Sequence, residues 1–161
     1  MLAYATFDTI MNGDPILRLT NASIFQGRNQ ILENVDLHIK QGDFQYLIGS
    51  TGSGKSSLLK TLYGDLPLKS GSGLICDIKL DDLQEKDIPG LRRRLGIVFQ
   101  DFQLLTDRSV YQNLKFVLRA TGWSSKTEID KKIKEVLTKV GMENKENQMP
   151  HQLSGGEQQR V

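Results

Sequence analysis

The sequence predicts an α/β fold in which strands come first, helices follow, and a glycine-rich loop with its helix joins them. Short apolar runs, one with strict alternation, fill the first part of the chain. Two segments with helical periodicity fill the last part. Between them, residues 49–56 read G-x-x-x-x-G-K-S, preceded by an apolar run and followed by a helical one.

Composition limits the classes of protein that fit. The chain has 161 residues, a length that suits one domain, and is 38% hydrophobic and 25% charged, as is typical of globular proteins. The net charge of +2 is too small to argue for nucleic acid as a partner. The sequence contains no run of about 18 apolar residues, so no membrane-spanning helix is predicted. The single cysteine, Cys76, fits a reducing compartment, so we expect a cytoplasmic protein that binds no nucleic acid.

The first elements are predicted strands. Residues 1–15 end in the turn cluster Asn-Gly-Asp-Pro and predict an N-terminal extension, so we place the domain at 16–161. Residues 16–19 form a short apolar run, and apolar residues alternate with polar ones towards the end of 31–39. Both segments are expected to be strands.

A further strand is predicted immediately before the glycine-rich loop, and a helix immediately after it. The run at 44–48 leads into the loop, and Gly64 is placed to end a helix over 56–63. Proline and glycine predict a loop at 66–73. Two more strands are expected at 74–76 and 95–99.

The later helices show apolar stripes at helical spacing. One stripe is Val110, Leu114, Val117 and Leu118; the other is Ile129, Ile133, Val136, Leu137 and Val140. Ser125 and Glu128 are spaced as a capping box, and Gly141 is placed as a stop.

A last helix is predicted to begin at Ser154, with Glu157 in its first turn. The sequence reaches its last residue, Val161, about one turn later, and an isolated turn is costly to nucleate. We therefore expect the chain to be a C-terminally truncated piece of a longer protein.

The loop at 49–56, here called the phosphate loop, has the residue types that phosphate binding needs. Its three glycines are expected to allow positive φ and close approach of backbone N–H groups to phosphate oxygens. Lys55 is expected to reach the β- and γ-phosphates, Ser56 to bind Mg²⁺, and Ser57 to bond the α-phosphate. The alternative is a glycine-rich surface turn. The predicted ATP-binding residues here are Gly49, Ser50, Thr51, Gly52, Ser53, Gly54, Lys55, Ser56 and Ser57.

A phosphate loop alone does not choose between GTPases, kinases, recombinases and transporter ATPases. Near the C-terminus, however, Leu-Ser-Gly-Gly-Glu-Gln-Gln-Arg resembles the signature of ATP-binding cassette (ABC) proteins. The resemblance implies a head-to-tail homodimer in which this segment contacts ATP held by the partner subunit; the alternative is an ordinary Gly-Gly helix start. The implied contact residues, here called the signature segment, are Leu153, Ser154, Gly155, Gly156, Glu157 and Gln158.

Other positions match the ABC pattern one by one. Phe25 lies where the family places an aromatic ring that stacks on adenine, although a phenylalanine there also suits the core. Gln100 matches the glutamine that binds Mg²⁺ and signals to the membrane partner; the alternative is a solvated strand end. The implied metal ligands are thus Ser56 and Gln100. Lys55 and Ser154 lie 99 residues apart, which fits a compact transporter-type domain.

A narrower resemblance lies in residues 91–114, whose Leu-Leu-x-Asp-Arg-x-Val-Tyr-x-Asn run is similar to the FtsE-type cell-division ATPases. It implies an FtsX-like integral membrane permease as partner and a place at the cytoplasmic face of the plasma membrane. Lipoprotein-release and macrolide-export ATPases, or a non-hydrolytic dimerisation scaffold, are the alternatives. Four residues are candidates for a groove that receives the membrane subunit, with core packing as the alternative: Val110, Tyr111, Leu114 and Phe116.

The resemblance to ABC proteins also implies which residues ATP hydrolysis requires. In the family, the Walker B strand ends in Asp-Glu and a switch histidine follows, whereas eight residues follow Leu153 here. No catalytic residue is therefore expected within the chain. We expect the full-length protein to be an ATPase and this chain, an incomplete ABC-type P-loop domain, to be inactive.

Overall fold

The computed structural model describes residues 15–99 and 101–161, which fall into two compact units. The first unit extends to Gly96 and the second begins at Ile97. The predicted extension at 1–15, apart from Pro15, and the predicted ligand Gln100 lie outside the described residues.

A four-stranded antiparallel sheet forms the frame of the first unit, in the order β2-β1-β3-β4. The central strand β1 pairs with β2 on one side and with β3 on the other, so that Leu17 lies opposite both Ile39 and Ile75. The strands predicted at 16–19 and 31–39 are confirmed, and the first extends well beyond its predicted end. The strand bounds are β1 (Leu17–Gln26), β2 (Asn29–Ile39), β3 (Ser70–Ile75) and β4 (Ile78–Lys79).

The loop predicted at 66–73 is wrong in its second half, because β3 begins at Ser70. The glycines there serve close packing of strands. A Cβ on Gly71 would lie 2.3 Å from the carbonyl oxygen of Asn21 in β1, and one on Gly73 would lie 2.9 Å from Leu68. Glycine inside a strand can mark such an approach of backbones as well as a turn.

Helix α1 (Lys55–Leu62) packs against β1 and buries Leu58 and Thr61. Gly64 follows it with φ +73°, which confirms the predicted stop. A 3₁₀ turn at Glu85–Asp87 leads into the short helix α2 (Ile88–Arg92). The core of this unit consists of aliphatic side chains from the strands, from α1 and α2, and from the loops before β3 and after β4: Leu17, Leu19, Ala22, Ile24, Leu32, Val35, Leu58, Leu68, Ile75, Leu80 and Leu91.

The strands predicted at 44–48 and 95–99 are wrong. Both segments have no regular secondary structure, and the side chains of Phe44, Tyr46 and Val98 are 78%, 73% and 76% exposed. A strand is stable when neighbouring strands satisfy its backbone groups. In the described sheet, the four strands pair with one another, and neither segment joins them. An apolar run thus predicts a strand only where a neighbouring strand is present to pair with it.

Three helices build the second unit: α3 (Val110–Ala120), α4 (Lys126–Lys139) and α5 (Gly155–Arg160). All three predicted helices are thereby confirmed. Ser125 Oγ accepts a hydrogen bond from the Glu128 N–H, which is one of the two bonds of the predicted capping box. Gly141 follows α4 with φ +67°, which confirms the predicted stop. The core consists of Val110, Ile129, Ile133, Leu137, Met142 and Leu153.

Helix length and polarity bear on membrane insertion. Within 15–99 and 101–161, no helix has the length and apolar character needed to cross a bilayer.

Candidate functional site

The phosphate loop wraps round the start of α1. Gly52 and Gly54 have φ of +80° and +93°, in the left-handed region that favours glycine, and Gly54 is the N-cap of the helix. Gly49 does not have the expected positive φ. A Cβ at position 49 would lie 2.7 Å from Ser53 Oγ, so a larger residue there would displace the Ser53 hydroxyl.

The loop lies close to β2. A Cβ on Gly54 would come within 2.9 Å of the side chains of Ile31 and Leu32, so a larger residue there would push the loop away from the sheet. The Leu58 N–H donates to the Gly54 carbonyl at 2.9 Å, which closes the first turn of α1. Gly54 therefore sets the start of α1, and the first N–H groups of the helix, which have no partner within it, lie beside the loop.

Lys55 folds back over the loop. Its Nζ donates to the carbonyl oxygens of Gly49 and Ser50, both at 2.7 Å, and approaches Ser53 Oγ at 3.4 Å. An ammonium group bonds more strongly to an anionic oxygen than to a neutral carbonyl. The lysine therefore sits where a phosphate, lying on the N-terminal end of α1, would offer it a better partner.

Ser56 is exposed in the first turn of α1, and the part-buried Ser57 follows it. Among the described residues, no three His, Cys, Asp or Glu side chains are grouped to hold a metal ion. A serine hydroxyl beside bound phosphate suits Mg²⁺, which keeps several waters and binds through few protein oxygens. The residues present fit Mg²⁺ held jointly with a nucleotide. The role of Gln100 stays a prediction.

Phe25 lies near the end of β1 and is half-buried. The Lys69 Nζ lies 5.9 Å from the centroid of its ring and donates to the Gly27 carbonyl at 2.9 Å. Lys69 therefore ties the β1–β2 turn to the residue predicted to stack on adenine. This contact was not predictable from local sequence, because Lys69 lies 44 positions further along the chain.

The signature segment lies in the second unit and begins α5. Ser154 is the N-cap and forms a complete capping box with Glu157. Leu153 is buried in the helix core, whereas Gly155 and Gly156 are exposed. Gln158 Nε2 donates to the Leu153 carbonyl at 3.2 Å. The segment thus presents two bare glycines next to a serine hydroxyl, anchored by one buried leucine.

Glu157 is held ionised by donors on both of its oxygens. Its Oε2 accepts the Ser154 N–H at 2.8 Å and the Ser154 hydroxyl at 2.9 Å, while Lys145 Nζ lies 3.3 Å from Oε1. These contacts, with the Ser154 N–H the largest, lower the pKa of Glu157 from 4.5 to about 2. The sequence analysis placed Glu157 in the first turn of the helix that begins at Ser154, but it predicted neither the Ser154–Glu157 capping box nor the contact with Lys145, which comes from a loop without periodicity.

Asn113 is a second residue that the sequence analysis missed. It is buried in α3, where its Oδ1 accepts the Leu105 N–H at 2.8 Å and its Nδ2 donates to the carbonyls of Leu105, Arg108 and Ser109. It therefore fixes the loop that leads into the helix. A signal was available, since position 113 lies three residues after Val110 on the apolar stripe of the helix.

The groove candidates divide between core and surface. Val110 is 1% exposed and belongs to the helix core, and Tyr111 packs beside that core and donates to Asp130 at 2.6 Å. Leu114 and the half-exposed Phe116 line a cavity of about 400 Å³ within the second unit. Its apolar lining also includes Val98, Phe99, Phe102 and Val117.

A glycine-rich loop, with its lysine at the start of a helix packed on a sheet, defines the class of P-loop nucleotide-binding domains. The sequence profile of the ABC transporter family matches residues 32–161, and the chain belongs to that family. The described residues have the α/β fold of part of an ABC nucleotide-binding domain.

Curated relatives of two kinds are similar to the chain. The cell division ATP-binding protein FtsE of Bacillus subtilis is 42% identical over 130 residues, which cover 81% of this chain and 57% of that protein. FtsE of Streptococcus pneumoniae is 37% identical, with 81% and 56% covered. The methionine import ATP-binding protein MetN of Clostridioides difficile is 38% identical over 146 residues, with 91% and 45% covered. The chain thus spans about half the length of these relatives.

Solved structures give the same fold. A dimeric structure of the ATP-binding cassette MJ0796, in a post-hydrolysis state bound to ADP and Pi, is 33% identical with a TM-score of 0.75. The match covers 89% of this chain and 66% of that one. CbiO1 of Clostridium perfringens, part of an ABC transporter complex, is 30% identical with a TM-score of 0.76, and 92% and 59% are covered.

Proposed function

We propose that this chain is the ATP-binding part of an ABC membrane complex, with residues 16–161 forming a partial nucleotide-binding domain. The observation that carries the proposal is the placement of Lys55, whose Nζ lies over the phosphate loop on two neutral carbonyls. A bound triphosphate would replace these carbonyls as its partner. The free N–H groups at the start of α1 would hold the β-phosphate.

The remaining residues of the loop have supporting roles in this proposal. Gly52 and Gly54 adopt left-handed conformations through which backbone N–H groups of the loop would face the phosphates, and Gly49 leaves room for Ser53. Ser56 would bind Mg²⁺ together with Gln100, and Ser57 would bond the α-phosphate. Ser50, Thr51 and Ser53 line the loop, and Phe25 would stack on the adenine, a contact worth about 1–3 kcal/mol in nucleic-acid sites.

The signature segment is proposed to contact the ATP held by a second copy of the chain. The exposed glycines 155 and 156 and the hydroxyl of Ser154 support this, since small residues and donors at a helix start suit an anion. The relative MJ0796 has a dimeric structure bound to ADP and Pi. We propose a head-to-tail homodimer in which two ATP molecules are each held between a phosphate loop and a signature segment.

Hydrolysis by the complete product of the gene belongs to this proposal. Phosphoryl transfer depends on positioning and on stabilisation of charge. Lys55 and Ser56 would position the phosphates and the metal. The acidic residues that activate water in this family are not among the 161 residues, so we expect binding without turnover from the chain as given.

Mixing two inactive variants tests the shared site. Lys55→Ala removes the phosphate contact, and Gly156→Asp adds a negative charge at a position where a Cβ meets nothing within 4 Å, so folding should be preserved. In the complete gene product, neither variant should associate in ATP when alone, as followed by sedimentation velocity. A mixture should regain ATP-dependent dimers, because one of its two sites then has both elements intact. Failure of the mixture to associate, while the wild type does, would contradict the head-to-tail arrangement.

We further propose that the complex is FtsE-like, with an FtsX-like permease as partner at the cytoplasmic face of the plasma membrane. Two FtsE proteins are 42% and 37% identical to the chain. The cavity bordered by Leu114 and Phe116 is the proposed docking place for the membrane subunit, since Phe116 and Val117 expose 49% and 56% of their surface there. Pull-down of the permease by wild type but not by Phe116→Asp, with Lys131→Asp as an exposed control, is the expected result.

Methionine import is the second candidate, favoured by the MetN relative that matches 91% of the chain at 38% identity. Depletion of the gene product distinguishes the two. Blocked division with normal uptake of labelled methionine supports the FtsE-like role, and lost uptake with normal division supports import.

A further inference from the structure

Lys145 makes an ion pair with Glu157 of the signature segment. Its Nζ lies 3.3 Å from Glu157 Oε1, and the two side chains are 35% and 21% exposed. By contrast, Lys139 and Glu135 on α4 pair at 2.6 Å with 68% and 44% exposure. Since exposed pairs are screened by solvent and contribute little, the more enclosed Lys145–Glu157 pair has the stronger claim to a function.

The backbone holds Lys145 in place. Its N–H donates to the carbonyl of Met142, which is 1% exposed in the helix core, and its own carbonyl accepts the Gln148 N–H, both at 3.0 Å. The lysine therefore approaches Glu157 from a loop fixed at both sides. Such a fixed position lowers the entropy lost when the ion pair forms.

Glu157 links Lys145 to the signature serine. The carboxylate oxygen that does not face Lys145 accepts both the N–H and the hydroxyl of Ser154, at 2.8 and 2.9 Å. The hydroxyl proton of Ser154 thus points at Glu157. To contact a phosphate oxygen as a donor, Ser154 has to turn this proton away from the carboxylate.

Two electrostatic costs arise when ATP approaches Ser154. A carboxylate next to the serine repels the polyanion, and it also competes with phosphate for the serine proton. A positive charge on the other oxygen of the carboxylate reduces both effects. Lys145 is placed to supply that charge.

We propose that Lys145 is a positioning residue for the signature serine: by balancing the charge of Glu157, it frees Ser154 to bond the phosphate of ATP held by the partner subunit. The inference rests on the proposed function and adds to it a residue outside the signature. It assigns Lys145 no contact with ATP itself.

The test uses the complete gene product and two readouts. The first is the ATP concentration at half-maximal dimerisation; the second is the affinity of the phosphate loop for a fluorescent ATP analogue at protein concentrations that keep the protein monomeric. Lys145→Met should raise the first about five- to tenfold and leave the second unchanged. Lys139→Met, which breaks the exposed pair with Glu135 on α4, is the matched control and should change neither.

Restoring the charge balance separates this role from a structural one. Lys145→Arg should behave as wild type. Lys145→Met should have a much smaller effect when it is introduced into a Glu157→Gln background than into the wild type, because the charge that needs balancing is then gone. An equal effect of Lys145→Met in both backgrounds, or a Lys145→Met protein that associates as wild type does, would overturn the proposal. Absence of ATP-dependent association in the wild type would instead contradict the proposed function.

Discussion

Replacing Asn113 by alanine tests how the second unit is held together. The side chain is 6% exposed and makes four hydrogen bonds of 2.8–3.1 Å, to Leu105 (twice), Arg108 and Ser109. Nδ2 shares its two hydrogens among three carbonyls, so the side chain counts as about three full bonds. At about 0.5–1.5 kcal/mol for each bond, the loss in the free energy of unfolding is about 1.5–4.5 kcal/mol. For a chain of this size, Tm should fall by roughly 3–18 °C.

The single tryptophan, Trp123, lies in the second unit, so its fluorescence during urea unfolding reports on that unit. Asn144→Ala is the matched control because Asn144 is exposed. It should change the free energy of unfolding by less than about 0.5 kcal/mol. If Asn113→Ala and Asn144→Ala unfold at the same urea concentration, the hydrogen bonds of Asn113 do not stabilise the second unit.

Further predictions concern backbone space and pH. Gly71→Ala should destabilise the first unit by about 2 kcal/mol or more, because the new Cβ would lie 2.3 Å from the Asn21 carbonyl oxygen. Gly90→Ala, in α2 with open space around it, should instead stabilise by about 0.5–1 kcal/mol; equal urea midpoints for the two would refute the packing argument. The pKa of Glu157 is about 2 in the folded chain and 4.5 without the folded contacts. The ionised Glu157 side chain therefore stabilises the fold above pH 4.5, and this stabilisation is lost as the pH falls towards 2. Glu157→Gln should therefore flatten the acid limb of a Tm–pH curve, and an unchanged limb would contradict this.

Patterns that are local in sequence predicted local structure well. The stripes beginning at Val110 and Ile129 are helices, and a helix begins at Ser154 as expected, with Glu157 in its first turn. The phosphate loop also lies where its motif places it, at the start of a helix. In each case the residues that make the element lie within one or two turns of one another.

Features that depend on distant partners were not predictable in the same way. The apolar run at 44–48 has strand character, yet no described strand pairs with it, and its aromatic side chains are exposed. Gly71 was predicted to lie in a loop. The reason for a glycine at this position is the carbonyl oxygen of Asn21 in another strand, which leaves no space for a Cβ. Lys145 and Lys69 act through contacts that loops bring together, and loops carry no periodicity.

Direct measurement of ATP binding to the chain is the sharpest test of the central claim that residues 49–57 form a phosphate site. Calorimetric titration with Mg·ATP should show binding to the wild type and a loss of about ten- to a hundredfold in Lys55→Ala, since a bond to a charged group contributes about 1.5–3 kcal/mol. Lys60→Ala, on the same helix and paired with Asp65 at the surface, should bind as wild type. Equal affinity of wild type and Lys55→Ala would contradict the account.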